Sequence, residues 1–134
     1  MSNNVKTRGI LAGAVVAAAL LFGNTSSMAH SWVAPQEAAK IANPVAPTPS
    51  SIDNGREPFL RFCARCHGLD AKGLPAAKTR LKHDTPDLLQ RLTQHSDGDF
   101  HWKTKNGKDE MPSFADDLSD ADIWDLINYL KSLK

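Results

Sequence analysis

The only two cysteines of this 134-residue chain lie three residues apart and are followed by a histidine, in the run Cys63-Ala64-Arg65-Cys66-His67. This C-x-x-C-H pattern is typical of c-type haem attachment, in which each cysteine sulfur joins one porphyrin vinyl group and the histidine reaches the iron. On a helical turn, residues three apart share one face, so both sulfurs can meet the same ring. The pattern predicts one covalently bound haem c, with His67 as an iron ligand.

Two other uses of the cysteine pair fit the residues less well. A redox dithiol of the C-x-x-C type accompanies a βαβ pattern, which this sequence lacks, and it does not need His67. A zinc site needs four ligands, so the cysteines would have to recruit His67 and a second histidine at unfavourable spacing. Haem attachment therefore remains the prediction.

The second axial position on the iron separates an electron carrier from a catalyst. Met111 is the only methionine beyond residue 29, and it stands beside Pro112 in a polar loop, which is an unusual place for a methionine that only fills a core. A thioether ligand raises the haem potential, so we expect Met111 to be the axial ligand. Bis-histidine ligation through His101 is the alternative, whereas His83 and His95 lie in polar stretches and are expected to face solvent.

The elements that must position these groups have helical patterns. Apolar side chains spaced among charged ones over residues 52–62 predict a first helix that leads into Cys63. Pro58 is compatible with this helix if it lies in the first turn, where a backbone N–H is not needed.

Two short helices are predicted in the middle of the chain. Thr85-Pro86-Asp87 is typical of an N-cap, a proline at the first helical position and an early acid. Ser96 is expected to cap a third helix, which Asn106-Gly107 would end.

The last helix has the clearest pattern. Ser119 and Asp122 resemble a capping box, and apolar residues then repeat at helical spacing: Ile123, Leu126, Ile127, Leu130 and Leu133. Since no strand pattern of any length is present, the sequence predicts an all-α fold, a small domain of about four helices and loops wrapped around one haem.

The first 29 residues have the pattern of a secretory signal peptide. Lys6 and Arg8 precede an apolar run over residues 10–22, and Ser27-Met28-Ala29 offers small residues for cleavage. The apolar run is short for a membrane span of about 20 residues, and an uncleaved signal anchor is the alternative. We therefore expect an exported, periplasmic protein without a membrane span in the mature chain.

The remaining chain divides into an arm and one domain. Residues 30–51 are rich in Ala and Pro and are expected to form an extended arm or linker, although Trp32 could still contact the domain. Residues 52–134 form the predicted haem domain. The chain carries 16 basic and 15 acidic side chains, so it lacks the excess of positive charge that is typical of proteins that bind nucleic acid.

These residues together resemble the class I cytochrome c family of small monohaem proteins. Gly55 and Phe59, which precede the attachment motif, are similar to the family's first helix, and residues 123–130 are similar to its last helix. Asn106-Gly107 followed by Met111-Pro112 is similar to its methionine-ligand loop. The resemblance covers roughly residues 52–134.

The resemblance implies several contacts that spacing alone does not give. It implies that the first and last helices cross with Gly55 against Tyr129, and that the backbone carbonyl of Pro75 accepts the Nδ1 hydrogen of His67. It also suggests Trp102 and Arg80 as contacts of the haem propionates.

The function implied is one-electron transfer between transient redox protein partners, by a protein that is not an enzyme and is either a monomer or a subunit of a redox complex. Two alternatives remain open. One is an electron-entry subunit of a larger oxidoreductase, and the other is a haem sensor or enzyme with a displaceable sixth ligand.

Overall fold

The computed structural model describes residues 32–134, so the predicted signal peptide of residues 1–29 lies outside the described residues. The described part is helical, in agreement with the predicted all-α fold, and its only paired extended residues are an isolated bridge between Lys108 and Met111. The helices are α1 (Gln36–Ala39), α2 (Pro49–Pro58), a π-helix (Phe59–Cys63), α3 (Ala64–His67), α4 (Ala76–Thr79), α5 (Leu88–Arg91), α6 (Asp97–Asn106) and α7 (Asp120–Ser132). None of the helices within residues 32–134 is long and apolar enough to cross a membrane.

Helix α2 begins earlier than predicted. Thr48 is its N-cap, and the Thr48 hydroxyl accepts a hydrogen bond from the backbone N–H of Ser51 at 3.2 Å. Pro58 is therefore the last residue of α2, and the expectation that it lies in the first turn is wrong. Because a proline has no N–H, the usual hydrogen bond to the carbonyl four residues earlier is missing there, and the chain widens into the π-helix before α3.

Helices α2 and α7 cross in direct backbone contact at Gly55. A β-carbon built on Gly55 would lie 2.0 Å from the carbonyl oxygen of Asp125, so only glycine fits at the crossing. The atoms nearest to Gly55 at this crossing belong to the backbone of Asp125 and Leu126. Tyr129, which the resemblance placed against Gly55, contacts Phe59, with ring centroids 5.3 Å apart.

The caps of the two longer C-terminal helices are as predicted. The Ser96 hydroxyl accepts from the N–H of Asp99 at the start of α6, which ends at Gly107. Ser119 and Asp122 form a reciprocal capping box at the start of α7. The N-cap of α5, in contrast, is Asp87 rather than the predicted Thr85, because the Thr85 hydroxyl bonds elsewhere.

Two clusters of buried side chains form the core of the described residues. The first lies mainly between the π-helix, α3 and α7 and consists of Phe59, Ala64, Ala71, Leu126, Tyr129 and Leu130. The second lies between α7 and the loop before it and consists of Phe114, Leu118, Ile123, Trp124 and Ile127. Helix α7 therefore contributes to both clusters and joins the two sides of the domain.

The arm of residues 30–51, which the structure describes from residue 32, packs on the domain through several of its residues. Ala34 is buried, and α1 lies against α6, where the Ser96 hydroxyl donates to the carbonyl of Ala39 at 2.6 Å. The described part of the arm is thus not an extended linker. The composition of the segment did not show this, because its contacts are with residues far along the chain.

Candidate haem site

One cavity brings together the two cysteines, His67 and Met111. Three stretches of chain line it, around residues 62–67, 81–86 and 108–114, and its volume is about 750 Å³. This volume is within the range of about 300–1,000 Å³ found for small-molecule and cofactor sites. The four side chains that the sequence singled out for haem attachment and iron ligation therefore meet in one space large enough for a cofactor.

The cysteines lie on one wall of this cavity, at the end of the π-helix and within α3. Both are free thiols and both are half-buried. Burial raises the pKa of Cys63 to about 12, and the nearby Cys66 contributes a smaller part of the increase. This thiol is therefore protonated near neutral pH. A redox dithiol has an attacking cysteine with a lowered pKa, so the raised pKa of Cys63 does not support the dithiol alternative.

His67 is buried at the carboxyl end of α3, and its ring is oriented by a backbone carbonyl. Its Nδ1 lies 3.3 Å from the carbonyl oxygen of Pro86. If Nδ1 donates this hydrogen bond, Nε2 carries the free lone pair and can bind a metal. Burial lowers the pKa of His67, while the hydrogen bond to Pro86 opposes the shift, so the ring is neutral at neutral pH and can act as a ligand.

The residue predicted to accept from His67 was Pro75, and the structure places Pro86 there instead. Pro75 is exposed and forms the N-cap of α4. Pro86 is brought to His67 by its neighbour Thr85, whose hydroxyl lies 2.5 Å from the carbonyl of Cys66 and accepts from the N–H of Leu74 at 2.7 Å. The sequence pattern around Thr85 also fits a helix cap, which is why its role in holding this loop was missed.

Met111 lies on the wall formed by residues 108–114. Two backbone hydrogen bonds join Met111 and Lys108, each 2.9 Å long, and close a tight turn. The chain enters this turn through Gly107, whose φ of +66° is in the left-handed region. A hydrogen bond of 2.7 Å from the Ser113 hydroxyl to the carbonyl of Lys105 fixes the turn to α6. Met111 is therefore held on the cavity wall by its own backbone.

His101, the alternative iron ligand, is outside the lining of this cavity. Its ring stacks on Trp124 with centroids 4.0 Å apart, and its Nε2 lies 3.2 Å from a carboxylate oxygen of Asp120. Burial lowers the pKa of His101, although Asp120 opposes the shift. Met111 therefore lines the cavity, whereas His101 lies against Trp124 and Asp120 outside its lining.

The two histidines predicted to face solvent, His83 and His95, differ in their exposure. His83 is exposed, as expected, at the edge of the cavity. His95 was also expected to face solvent, which is wrong: its side chain is 16% exposed and its Nδ1 lies 2.7 Å from a carboxylate oxygen of the buried Asp99. The sequence pattern did not indicate this contact, because His95 precedes the N-cap of α6 whereas Asp99 lies within the helix.

The predicted propionate contacts are not brought to the cavity either. Neither Trp102 nor Arg80 is among its lining residues, and Arg80 lies after α4 with a φ of +63°. The cationic side chains that do line the cavity are Lys82 and Lys108. Sequence reasoning missed both, since an exposed lysine in a loop carries no local signal of its neighbours.

The zinc alternative finds no support in the described residues. Within residues 32–134 no three His, Cys, Asp or Glu side chains come together in a group that could hold a metal ion. The residues that line the cavity include two thiols, the buried imidazole of His67, the exposed imidazole of His83 and the thioether of Met111. This set fits a covalently attached haem c, with Cys63 and Cys66 for the porphyrin and with His67 and Met111 for the iron.

Comparison with known proteins agrees with the geometry. The family described as "Cytochrome C oxidase, cbb3-type, subunit III" matches residues 50–130. Cytochrome c6 of Pyropia tenera is 32% identical over 83 residues, which are 62% of this chain and 93% of the relative. A nicotinate dehydrogenase subunit of Pseudomonas putida is 34% identical over 104 residues, which cover 72% of this chain but only 8% of that much longer protein.

A solved structure shows the same fold. A chain of the Kuenenia stuttgartiensis reducing HAO-like protein complex superposes with a TM-score of 0.52 at 24% sequence identity. The match covers 67% of this chain and 46% of that chain, so this protein spans less than half of the larger one.

Proposed function

The chain belongs to the class I monohaem cytochrome c family, whose members carry electrons, and we propose that it carries single electrons between redox proteins outside the cytoplasm with its iron held by His67 and Met111. When bound, haem c supplies a one-electron couple between ferrous and ferric iron. The observation that carries the proposal is the shared cavity of His67, Met111 and the two thiols.

Each of the four residues has a distinct part in this proposal. Cys63 and Cys66 fix the porphyrin by thioether bonds, so the cofactor does not dissociate. His67 is kept neutral by burial and is oriented by the Pro86 carbonyl. Met111 is held on the cavity wall by its turn, and as a soft ligand it favours ferrous iron and raises the potential. With His67 and Met111 both bound to the haem iron, no ligand position would remain open for a substrate, as suits a carrier.

Export is supported by the sequence of residues 1–29, with its basic start, apolar run and small residues at the cleavage site. We expect the mass of the purified mature protein to equal the chain from His30 onward plus one haem. A mass that includes Met1 would mean that the segment is retained, and the proposal of a free periplasmic carrier would then be replaced by a tethered one.

A second candidate function has its own observation. The likeness to the nicotinate dehydrogenase subunit covers only 8% of that protein, so a related domain there is part of a much larger oxidoreductase chain. This chain could serve in the same way as the electron-entry subunit of a larger complex. Purification from the native source separates the two: a carrier elutes alone, whereas a subunit elutes with its partner.

Carbon monoxide binding tests the carrier proposal against a sensor or enzyme. We expect the ferrous protein to bind carbon monoxide poorly near neutral pH, because the Met111 sulfur occupies the position that the gas needs. Ready binding by the wild-type protein would show a displaceable or absent sixth ligand and would overturn the proposed function.

A further inference from the structure

The arm is fixed to α7 by a pair of asparagines that also hold the backbone of Val45. The N–H of Val45 donates to Oδ1 of Asn43 at 2.9 Å, and its carbonyl accepts from Nδ2 of Asn128 at 3.0 Å. Nδ2 of Asn43 donates in turn to Oδ1 of Asn128 at 2.9 Å and to the carbonyl of Trp124 at 3.0 Å. Asn128 is only 3% exposed. The arm therefore cannot leave α7 without breaking hydrogen bonds to a buried amide.

The side chain of Val45 reaches the same core cluster as Met111. Both pack, partly buried, against the second cluster, which includes Phe114 and Trp124. Phe114 also lines the cavity beside Met111. Since interiors are closely packed, loss of Val45 from this cluster would leave space into which the wall that carries Met111 can relax.

A second anchor holds the start of the arm on α6. The N–H of Ala34 donates to Oδ1 of the buried Asp99 at 2.9 Å, and Lys103 bonds the other carboxylate oxygen at 2.7 Å. The arm backbone also lies directly on Gly98, where an added β-carbon would be 2.1 Å from the carbonyl oxygen of Ala38. The arm is thus held at both ends of its described length.

We propose that the arm of residues 34–48, which ends where α2 begins, is a clamp on the methionine side of the cavity, with Asn43 and Val45 as positioning residues that keep Met111 in place. The proposal rests on the proposed ligation of iron by Met111. Its consequence is that the arm, and not only the loop around Met111, limits the access of external ligands to the iron.

Imidazole titration of the ferric holoprotein tests the clamp. In Asn43→Ala the affinity for imidazole should rise roughly tenfold, as expected for the loss of about 1.4 kcal/mol from the closed state when the buried amide of Asn128 loses a hydrogen-bond partner. The near-infrared band of sulfur bound to ferric iron should weaken in parallel. The matched control is Asn54→Ala, since Asn54 is exposed and donates to Asp125 of the same helix α7, not to Asn43, Val45 or Asn128. The control should bind imidazole as the wild type does.

A second variant releases the arm without removing a buried group. Gly98→Ala places a methyl group 2.1 Å from the carbonyl oxygen of Ala38, so the arm must move away from α6. The helix itself should not be weakened, because alanine has a higher helix propensity than glycine. We expect proteolytic cleavage within residues 34–45 and the same rise in imidazole affinity.

The outcomes distinguish the two proposals. If the wild type shows the sulfur band and resists imidazole, but Asn43→Ala and Gly98→Ala bind imidazole no better although the arm of Gly98→Ala is cleaved, the clamp is wrong and the arm only stabilises the fold. If the wild type itself lacks the sulfur band, the ligation by Met111 fails, and the clamp fails with it.

Discussion

The Nδ1 atom of His67 lies 3.3 Å from the carbonyl oxygen of Pro86, a residue from a separate loop of the cavity wall. The loop is fastened to α3 by the preceding residue, because the hydroxyl of Thr85 lies 2.5 Å from the carbonyl of Cys66. One side chain thus ties the loop to the attachment motif and sets the carbonyl that orients the histidine.

Replacement of Thr85 should therefore destabilise the cavity wall. Thr85→Val keeps the shape but removes the hydroxyl that bonds Cys66 and Leu74, so the free energy of unfolding should fall by about 1–3 kcal/mol. The measurement is guanidinium unfolding of the holoprotein. Thr93→Val is the matched control, since Thr93 is exposed and should change stability by less than about 0.5 kcal/mol. Equal effects in the two variants would contradict this role of Thr85.

The crossing of α2 and α7 should not tolerate a methyl group. Gly55→Ala would place a β-carbon 2.0 Å from the Asp125 carbonyl, so the helices must move apart. Overpacking of this kind costs about 1–3 kcal/mol and outweighs the gain of up to about 1 kcal/mol in helix propensity. Thermal unfolding should show a lower midpoint for Gly55→Ala and little change for Asp53→Ala, at an exposed position of the same helix. A midpoint equal to or above that of the wild type would show that the crossing is not tightly packed.

How far the fold follows from the sequence depends on how local each signal is. The caps at Ser96 and Ser119 were predicted, because the residues that bond each other lie within one helical turn. The Pro86 carbonyl was not, because which proline reaches His67 depends on how a loop of many residues folds back. The packing of the arm was missed for the same reason: Asn43 bonds Asn128, which is far along the chain.

The predictions for the candidate site divide in the same way, into those from local spacing and those from the resemblance. The C-x-x-C-H spacing and the lone methionine beyond residue 29 identified four of the residues that line the cavity, namely Cys63, Cys66, His67 and Met111. The expected contacts of Arg80 and Trp102 came from resemblance without a local pattern, and neither residue lines the cavity. The residues of the attachment motif were predicted from their spacing, whereas the contacts of the loops depend on the fold, and even the short-range contact of His95 with Asp99 was missed.

Both cysteines should be required for covalent attachment. Cys63→Ala together with Cys66→Ala removes both sulfurs that can join the vinyl groups, and the small domain loses the cofactor around which it packs. A denaturing gel stained for haem peroxidase activity should show no haem on the double variant, while Met111→Ala, which keeps both sulfurs, should stain as the wild type does. Stain on the double variant would exclude thioether attachment at this motif.

The stability of the protein should depend on pH through His101. Burial lowers the pKa of His101 below its ordinary value of 6.5, so below this pH the unfolded chain binds a proton that the folded chain does not. This contribution to the free energy of unfolding is therefore complete above about pH 6.5 and is lost as the pH falls. Between about pH 7.5 and pH 5.5 the wild type should lose more stability in guanidinium unfolding than His101→Gln does. Parallel losses would show that His101 does not titrate differently in the two states.

The near-infrared spectrum of the ferric protein tests the central claim, the ligation of iron by His67 and Met111, most directly. We expect the weak band of sulfur bound to ferric haem in the wild type and in His101→Gln, and its loss in Met111→Ala, together with a lower reduction potential because ferrous iron loses its soft ligand. A band absent from the wild type, or a spectrum that survives Met111→Ala and changes in His101→Gln, would contradict the account and assign the sixth position to His101.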